Sequence, residues 1–167
     1  IWLSIKNAIK MMNSIVNKMV EIDENNKAYY EANYLKNKEL FEALDIKYRE
    51  ELQDRKTNYI ATTHEAFGYL CKDYGLEEIA MGITNADSPT ASELAKITDE
   101  LKSKNIKVIF GEASESSSFS DAIASSLNIK RSSLNTIEAL NDLTQNEDYI
   151  SLMTSNLASL KEALCNE

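Results

Sequence analysis

A chain of 167 residues, 43% of them hydrophobic, is long enough for one domain, or one domain with an appendage, and can bury a real core. Its formal charge of −9, from 18 basic and 27 acidic residues, excludes a nucleic-acid binder that works by displacing counterions with a basic face. Cys71 and Cys165 stand far apart in no metal or redox spacing, and no apolar run approaches the length of a membrane span.

The charge is unevenly spread. Residues 1–58 carry ten basic and ten acidic side chains, so residues 59–167, with eight and seventeen, hold the whole −9. All four glycines (68, 75, 82 and 111) and Pro89 also fall in the second part, and a segment without such breaks predicts long helices. Ile1-Trp2-Leu3-Ser4 opens mid-pattern, with no Met start and no signal peptide, and reads as a piece of something longer. Ile5, Ala8, Ile9, Met12, Ile15, Val16 and Met19 then follow the three-four spacing of an amphipathic helix, with Ser4 placed to cap a short helical segment over residues 1–23. Asp23 offers the next N-cap, and a helical pattern runs to about Asp54, giving a long helical segment over 24–58. The stripe Phe41, Leu44, Tyr48, Leu52 is clear in its second half. The first half is rich in Asn and Tyr (Asn25, Asn26, Tyr29, Tyr30, Asn33, Tyr34), so this helix either covers a sheet throughout or packs at one end on something outside the chain.

From residue 59 the pattern alternates. Strands are predicted at 59–63, 78–83, 107–110 and 129–134, separated by helices at 65–74, 90–104 and 118–127 and closed by a helix at 149–164. Strands alternating with helices of this length make right-handed crossovers and a parallel sheet. The expected fold class is α/β: a four-stranded parallel sheet with flanking helices over residues 59–167, preceded by the long helix.

In such sheets the ligand crevice lies beyond the carboxyl ends of the strands. That rule selects Thr63-His64-Glu65, Gly111-Glu112-Ala113, the stretch from Asn135 to Glu138, and a fourth lip at residues 84–88 with Asp87. His64, the one histidine, is placed to be a ligand, a base or a partly solvated polar cap. Glu112, just past the apolar run Val108-Ile109-Phe110, faces the crevice and either touches a ligand, supports a ligand's side chain, or is a solvated loop acid. Glu138 and Asp142 lie in a polar run that predicts exposure. Cys71, two turns into a helix, points into packing and provides no nucleophile for a Cys-His pair. No phosphate-binding glycine loop occurs, and one His without a Cys pair does not complete a three- or four-ligand zinc site by itself.

The run Thr62-Thr63-His64-Glu65-Ala66-Phe67-Gly68-Tyr69-Leu70 resembles the Thr/Ser-His-x-Ala-Phe-x-Tyr signature of the metal-binding solute receptors of zinc/manganese ABC importers, many of them lipoproteins and some labelled adhesins. Tyr74-Gly75-Leu76, Ser88-Pro89-Thr90-Ala91, Lys107-Val108-Ile109-Phe110-Gly111-Glu112, Asp148-Tyr149-Ile150-Ser151-Leu152-Met153 and Asn156-Leu157 follow in the family's order. Trp2-Leu3-Ser4 with Lys6-Asn7-Ala8 is similar to its His-x-Trp-Leu-x-Pro-Lys-Asn-Ala segment, with Ile5 in place of Pro.

The resemblance implies two α/β lobes joined by a long rigid helix, with a metal held between them. Residues 24–58 would be that helix, and 59–167 the C-terminal lobe. His64 matches the histidine this lobe gives to the metal, with Glu112 as a candidate for supporting it. The remaining histidines would come from an N-terminal lobe and from residue 0, just ahead of Ile1. Manganese-preferring relatives often carry Glu at the position of His64, and many supply an Asp after the last strand. Here the first is imidazole, which suits zinc, and the second stretch reads Leu134-Asn135-Thr136-Ile137-Glu138, without Asp, so that Glu138 would substitute only if the loop register slips. Zn²⁺ is therefore favoured, with Mn²⁺ as the alternative. The implied partners are the membrane permease and the absent lobe, and the implied setting is extracytoplasmic, at the cell surface or in the periplasm, with a lipid anchor on the whole protein. Trp2, Tyr29, Tyr30 and Tyr34 should then be exposed or covered by another copy, in a homodimer caused by the absent lobe.

Two rival readings share the fold. One is an α/β enzyme with His64 as general base and Glu112 orienting it, which requires the two within hydrogen-bond distance. The other is a surface adhesion module using the acidic lobe.

Overall fold

The structure, a computed structural model, describes residues 1–82, 90–112, 118–139 and 144–165. Ala113, Asp142 and residues 84–88 with Asp87, all singled out above, lie outside the described residues.

Helices α1 (Ile5–Ile22) and α2 (Lys27–Glu51) come first, joined by one 3₁₀ turn at Glu24–Asn26. The rest alternates: β1 (Tyr59–Thr62), α3 (Gly68–Tyr74), β2 (Glu77–Ala80), α4 (Ala91–Ser103), β3 (Val108–Glu112), α5 (Ser118–Leu127), β4 (Lys130–Leu134) and α6 (Tyr149–Cys165). The four strands form one parallel sheet in the order β2-β1-β3-β4. Because successive side chains on a strand point to opposite faces, two cores follow. Ile60, Phe110 and Leu134 pack with α2, α3, α6 and the start of α1, while Ala61 and Ile109 pack with α4 and α5 through Leu101 and Ile123.

Local chemistry sets most boundaries. Ser4 caps α1, its Oγ accepting from the Asn7 amide at 3.1 Å. Thr90 and Glu93 cap α4 reciprocally, which also holds the Glu93 carboxyl below its ordinary range, chiefly through the Thr90 amide. Gly75 ends α3 at φ 67, a left-handed conformation that costs a residue with a Cβ about 1–2 kcal/mol. Three expectations need correcting. The helix expected from Glu65 starts at Gly68, because the chain first makes an arc away from β1. The second strand is Glu77–Ala80, one residue early and shorter than expected. The segment from Asp23 is not one helix: a 3₁₀ turn precedes α2, which ends at Glu51. Asp23 forms no N-cap bond; its carboxylate instead accepts from Asn26 Nδ2 and the Tyr30 hydroxyl, which lowers its pKa.

Helix α2 shows no break near Asn37 and is about 37 Å long at 1.5 Å per residue. Its second half is anchored. Tyr48 is fully buried, its hydroxyl donates to the Met153 carbonyl at 2.6 Å, and its ring stacks on Tyr74 at 4.9 Å. Phe41 stacks on Tyr149 at 4.5 Å. Its first half lies along α1, whose apolar stripe is buried at Ile5 and Ala8. Met11, Ile15, Met19 and Ile22 of α1 and Tyr29, Leu35 and Leu40 of α2 remain exposed, and of these Ile15, Met19 and Tyr29 line an open groove of about 240 Å³ between the two helices. Tyr29 is 67% exposed, whereas Tyr30 and Tyr34 are half-buried along that groove.

Candidate metal centre

In a sheet of order β2-β1-β3-β4 the chain leaves β1 toward one side and returns as β3 on the other, so the switch point lies between the carboxyl ends of β1 and β3. His64 stands there. The Thr63 amide donates to the Phe110 carbonyl at 2.9 Å, continuing the β1–β3 ladder one residue past the strand, and His64 follows it, exposed. Glu112 ends β3 half-buried; counting on from the Thr62–Phe110 pair puts it level with His64. No hydrogen bond joins the imidazole to another described residue, so the His64–Glu112 pair that a general-base enzyme needs is not formed.

The arc from Thr63 to Phe67 carries His64 from β1 to α3. It turns tightly, with the Ala66 amide donating to the His64 carbonyl at 3.1 Å, and its far end is seated by the buried Phe67 ring. Across it lies Glu78 of β2, a residue the sequence reading passed over. Its carboxylate accepts from the Thr62 hydroxyl at 2.8 Å, the Ala66 amide at 3.3 Å and the Phe67 amide at 3.1 and 3.2 Å. A signal existed: Leu76, Glu78 and Ala80 share a strand face, and Leu76 on that face belongs to the core, so an acid there demands partners. Cys71 packs nearby, buried as expected, and its thiol is pushed up to about 12 by burial first and then by the Glu78 charge.

The loop after β4 reaches the same edge and is held from two sides. Asn156 of α6 is buried; its Oδ1 accepts from the Asn135 amide at 2.7 Å and its Nδ2 donates to the Asn135 carbonyl at 2.9 Å. The Trp2 indole donates to the Thr136 carbonyl at 2.8 Å, and the Tyr149 hydroxyl to the Trp2 carbonyl at 2.8 Å. Trp2 is thus fixed while 37% exposed. Ile137 follows at φ 57, a left-handed conformation rare for a β-branched residue and of the kind that collects at working sites. Glu138, next along, is exposed. Glu65 is exposed as well.

Among the described residues no three His, Cys, Asp or Glu side chains are gathered closely enough to hold a metal ion. No helix of the described residues is long and apolar enough to cross a membrane. Among the described residues this edge presents the His64 imidazole without a hydrogen-bond partner, with carboxylates at Glu112 and on the loop after β4.

The class these features define is a doubly wound α/β lobe with an exposed imidazole at its switch point. The chain belongs to the family described as zinc-uptake complex component A, periplasmic, whose profile matches residues 1–163. It is 36% identical over 167 residues to the high-affinity zinc uptake system protein ZnuA of Bacillus subtilis, covering 98% of this chain and 52% of that protein. Among solved structures, the metal-dependent lipoprotein YcdH of Bacillus subtilis superposes with a TM-score of 0.88 at 36% identity, over 99% of this chain and 63% of that one. The Zn(II)-bound ZnuA-like domain of Streptococcus pneumoniae AdcA gives 0.87 at 31%, over 99% and 63%. The chain therefore spans about half the length of that curated relative.

Proposed function

We propose that this chain is the joining helix and C-terminal lobe of an extracytoplasmic receptor that captures zinc and delivers it to the permease of an ABC importer. His64 supplies the lobe's nitrogen ligand, Glu112 supports it, and Glu138 is the exposed carboxylate that this edge can add. The carrying observation is the exposed His64 imidazole at the β1–β3 switch point, level with Glu112 and without a partner among the described residues. Zinc, being borderline-soft, suits an imidazole nitrogen better than manganese does, and it takes three or four donors, more than the described residues bring together, which fits a site shared with a second lobe. The exposed apolar groove between α1 and α2 is the surface that such a lobe would cover, which makes pairing of two copies through it a consequence of the lobe's absence. The family description and the lipoprotein relative support an extracytoplasmic, lipid-anchored whole protein. Delivery to a permease needs binding and release and no turnover chemistry.

The test is zinc titration of the full-length protein by competition with a chelating dye. His64→Ala should weaken binding at least about a hundredfold, through loss of a coordinating bond. The metal-free melting temperature should not move, because the side chain is exposed. Wild-type affinity in His64→Ala refutes the site. Parallel manganese titrations decide between the two metals.

A further inference from the structure

We propose that Glu78 is the positioning residue of the metal loop: by bracing both feet of the arc between β1 and α3, it sets where the His64 imidazole stands. Glu78 acts in this way only if His64 is a ligand, as proposed above.

His64 is exposed and its ring touches no described hydrogen-bond partner, so the backbone alone places the imidazole. Upstream, that backbone is fixed by the ladder bond from Thr63 to Phe110. Downstream, Phe67 is the N-cap residue of α3 and carries no side-chain oxygen, and of the two amides leading into the helix that of Ala66 has only the His64 carbonyl, at 3.1 Å, as a local acceptor. Glu78 supplies a further acceptor to both from the adjacent strand. Oε1 takes the Thr62 hydroxyl together with the Ala66 and Phe67 amides, and Oε2 takes the Phe67 amide again. One carboxylate thus ties the residue two before His64 to the residues two and three after it. With both oxygens committed to these donors, Glu78 is engaged as a brace and is not presented as a donor to metal. The brace depends on the parallel register, which sets Ile60 beside Glu78 and Thr62 beside Ala80 and so brings the Glu78 side chain under the arc.

Releasing the arc leaves the imidazole in place chemically but unfixed, so metal binding must first order it, as happens when an outer partner of a metal ligand is removed. Two other roles would mimic the effect. Glu78 could attract a cation by charge alone, or it could merely stabilise the lobe.

A double-mutant cycle in the full-length protein separates them. Zinc affinity is measured by chelator competition, Co²⁺ absorption reports the ligand geometry, and melting of the metal-free protein reports stability. Glu78→Ala should weaken zinc about tenfold or more and alter the Co²⁺ spectrum, while Glu78→Gln, which keeps an acceptor oxygen but no charge, should recover most of the loss. In the His64→Ala background, Glu78→Ala should change affinity less than about twofold. Equal losses in both backgrounds, or Gln as weak as Ala, overturn the positioning role in favour of charge. Wild-type zinc binding by Glu78→Ala, with His64→Ala impaired, overturns the role and leaves the His64 site standing. No effect of His64→Ala removes the site and the brace together. If Glu78→Ala does not fold, Glu78→Gln carries the cycle: a loss of about threefold confined to the His64 background supports the brace, and the same loss in both backgrounds refutes it.

Discussion

Removing one oxygen atom tests how firmly α2 is fixed to the lobe. In Tyr48→Phe the ring and its 4.9 Å stack on Tyr74 remain, but the Met153 carbonyl loses a donor at 2.6 Å in a site with no measurable solvent exposure. A neutral hydrogen bond contributes about 1 kcal/mol net, and an acceptor left dry costs about 1–3 kcal/mol, so the variant should lose about 1–2 kcal/mol. For a chain of this size that is a fall of roughly 2–8 °C in melting temperature. Urea melts followed by circular dichroism should show a lower midpoint with an unchanged slope, since the surface exposed on unfolding is the same. A second arm uses pH. Burial first, and Tyr149 second, hold the Tyr48 phenol far above its ordinary 10.0. The unfolded chain therefore gives up this proton near pH 10 while the folded one keeps it, and stability falls as pH rises past that point by about 1.4 kcal/mol per unit. Tyr74 and Tyr149 are shifted the same way, in both cases mainly by burial. With Cys71, whose thiol burial also raises, at least four groups keep their protons in the folded chain there, so removing one should reduce the alkaline slope by at most about a quarter. An unchanged midpoint at pH 7, with the wild-type slope above pH 10, would refute a buried and bonded hydroxyl.

Asn156→Ala strips the three contacts that its amide makes with Asn135 and should cost about 2–4 kcal/mol by urea melt; a loss below about 1 kcal/mol would mean that the loop after β4 holds itself. Cys71, with its thiol pushed up to about 12, should resist a thiol reagent at pH 8 in the native state while the half-exposed Cys165 is labelled. Peptide mass spectrometry reads this directly, and equal labelling of the two refutes the burial of Cys71. The His64 and Glu78 titrations described above complete the set.

The sheet was legible because its strands announce themselves locally: alternation and apolar runs mark them, and Gly75 and Pro89 punctuate the helices between. His64 was legible for a topological reason, as an imidazole one residue past the end of a β1 ladder. Glu78 was not, since its role exists only once β2 lies parallel to β1 with Ile60 beside it, a register that no local pattern encodes. The same holds for α3. Its spacing suits a helix from Glu65, but the Ala66 amide is shared between the His64 carbonyl and the Glu78 carboxylate, the Phe67 amide goes to Glu78, and the helix waits until Gly68. Periodicity also overstated the burial of α1, because an amphipathic stripe says that a partner is wanted without saying that the partner lies in the same stretch of chain.

Trp2 meets Thr136 across 134 residues of chain, and Tyr149 reaches back to Trp2 across 147. Closing a loop of 134 residues costs about 2 kcal/mol more in entropy than closing one of 15, whereas the α1–α2 hairpin closes through a single short turn. The order of folding follows from this difference. The hairpin and the β1–α3–β2 unit, with its His64 arc, assemble from near neighbours, while the Trp2 indole has nothing to donate to until the loop after β4 is in place. Trp2, among the earliest residues of this sequence to be synthesised, is therefore among the last to settle. It settles at the edge where His64 and Glu138 stand, so the shape of that edge is complete only in the closing step of folding.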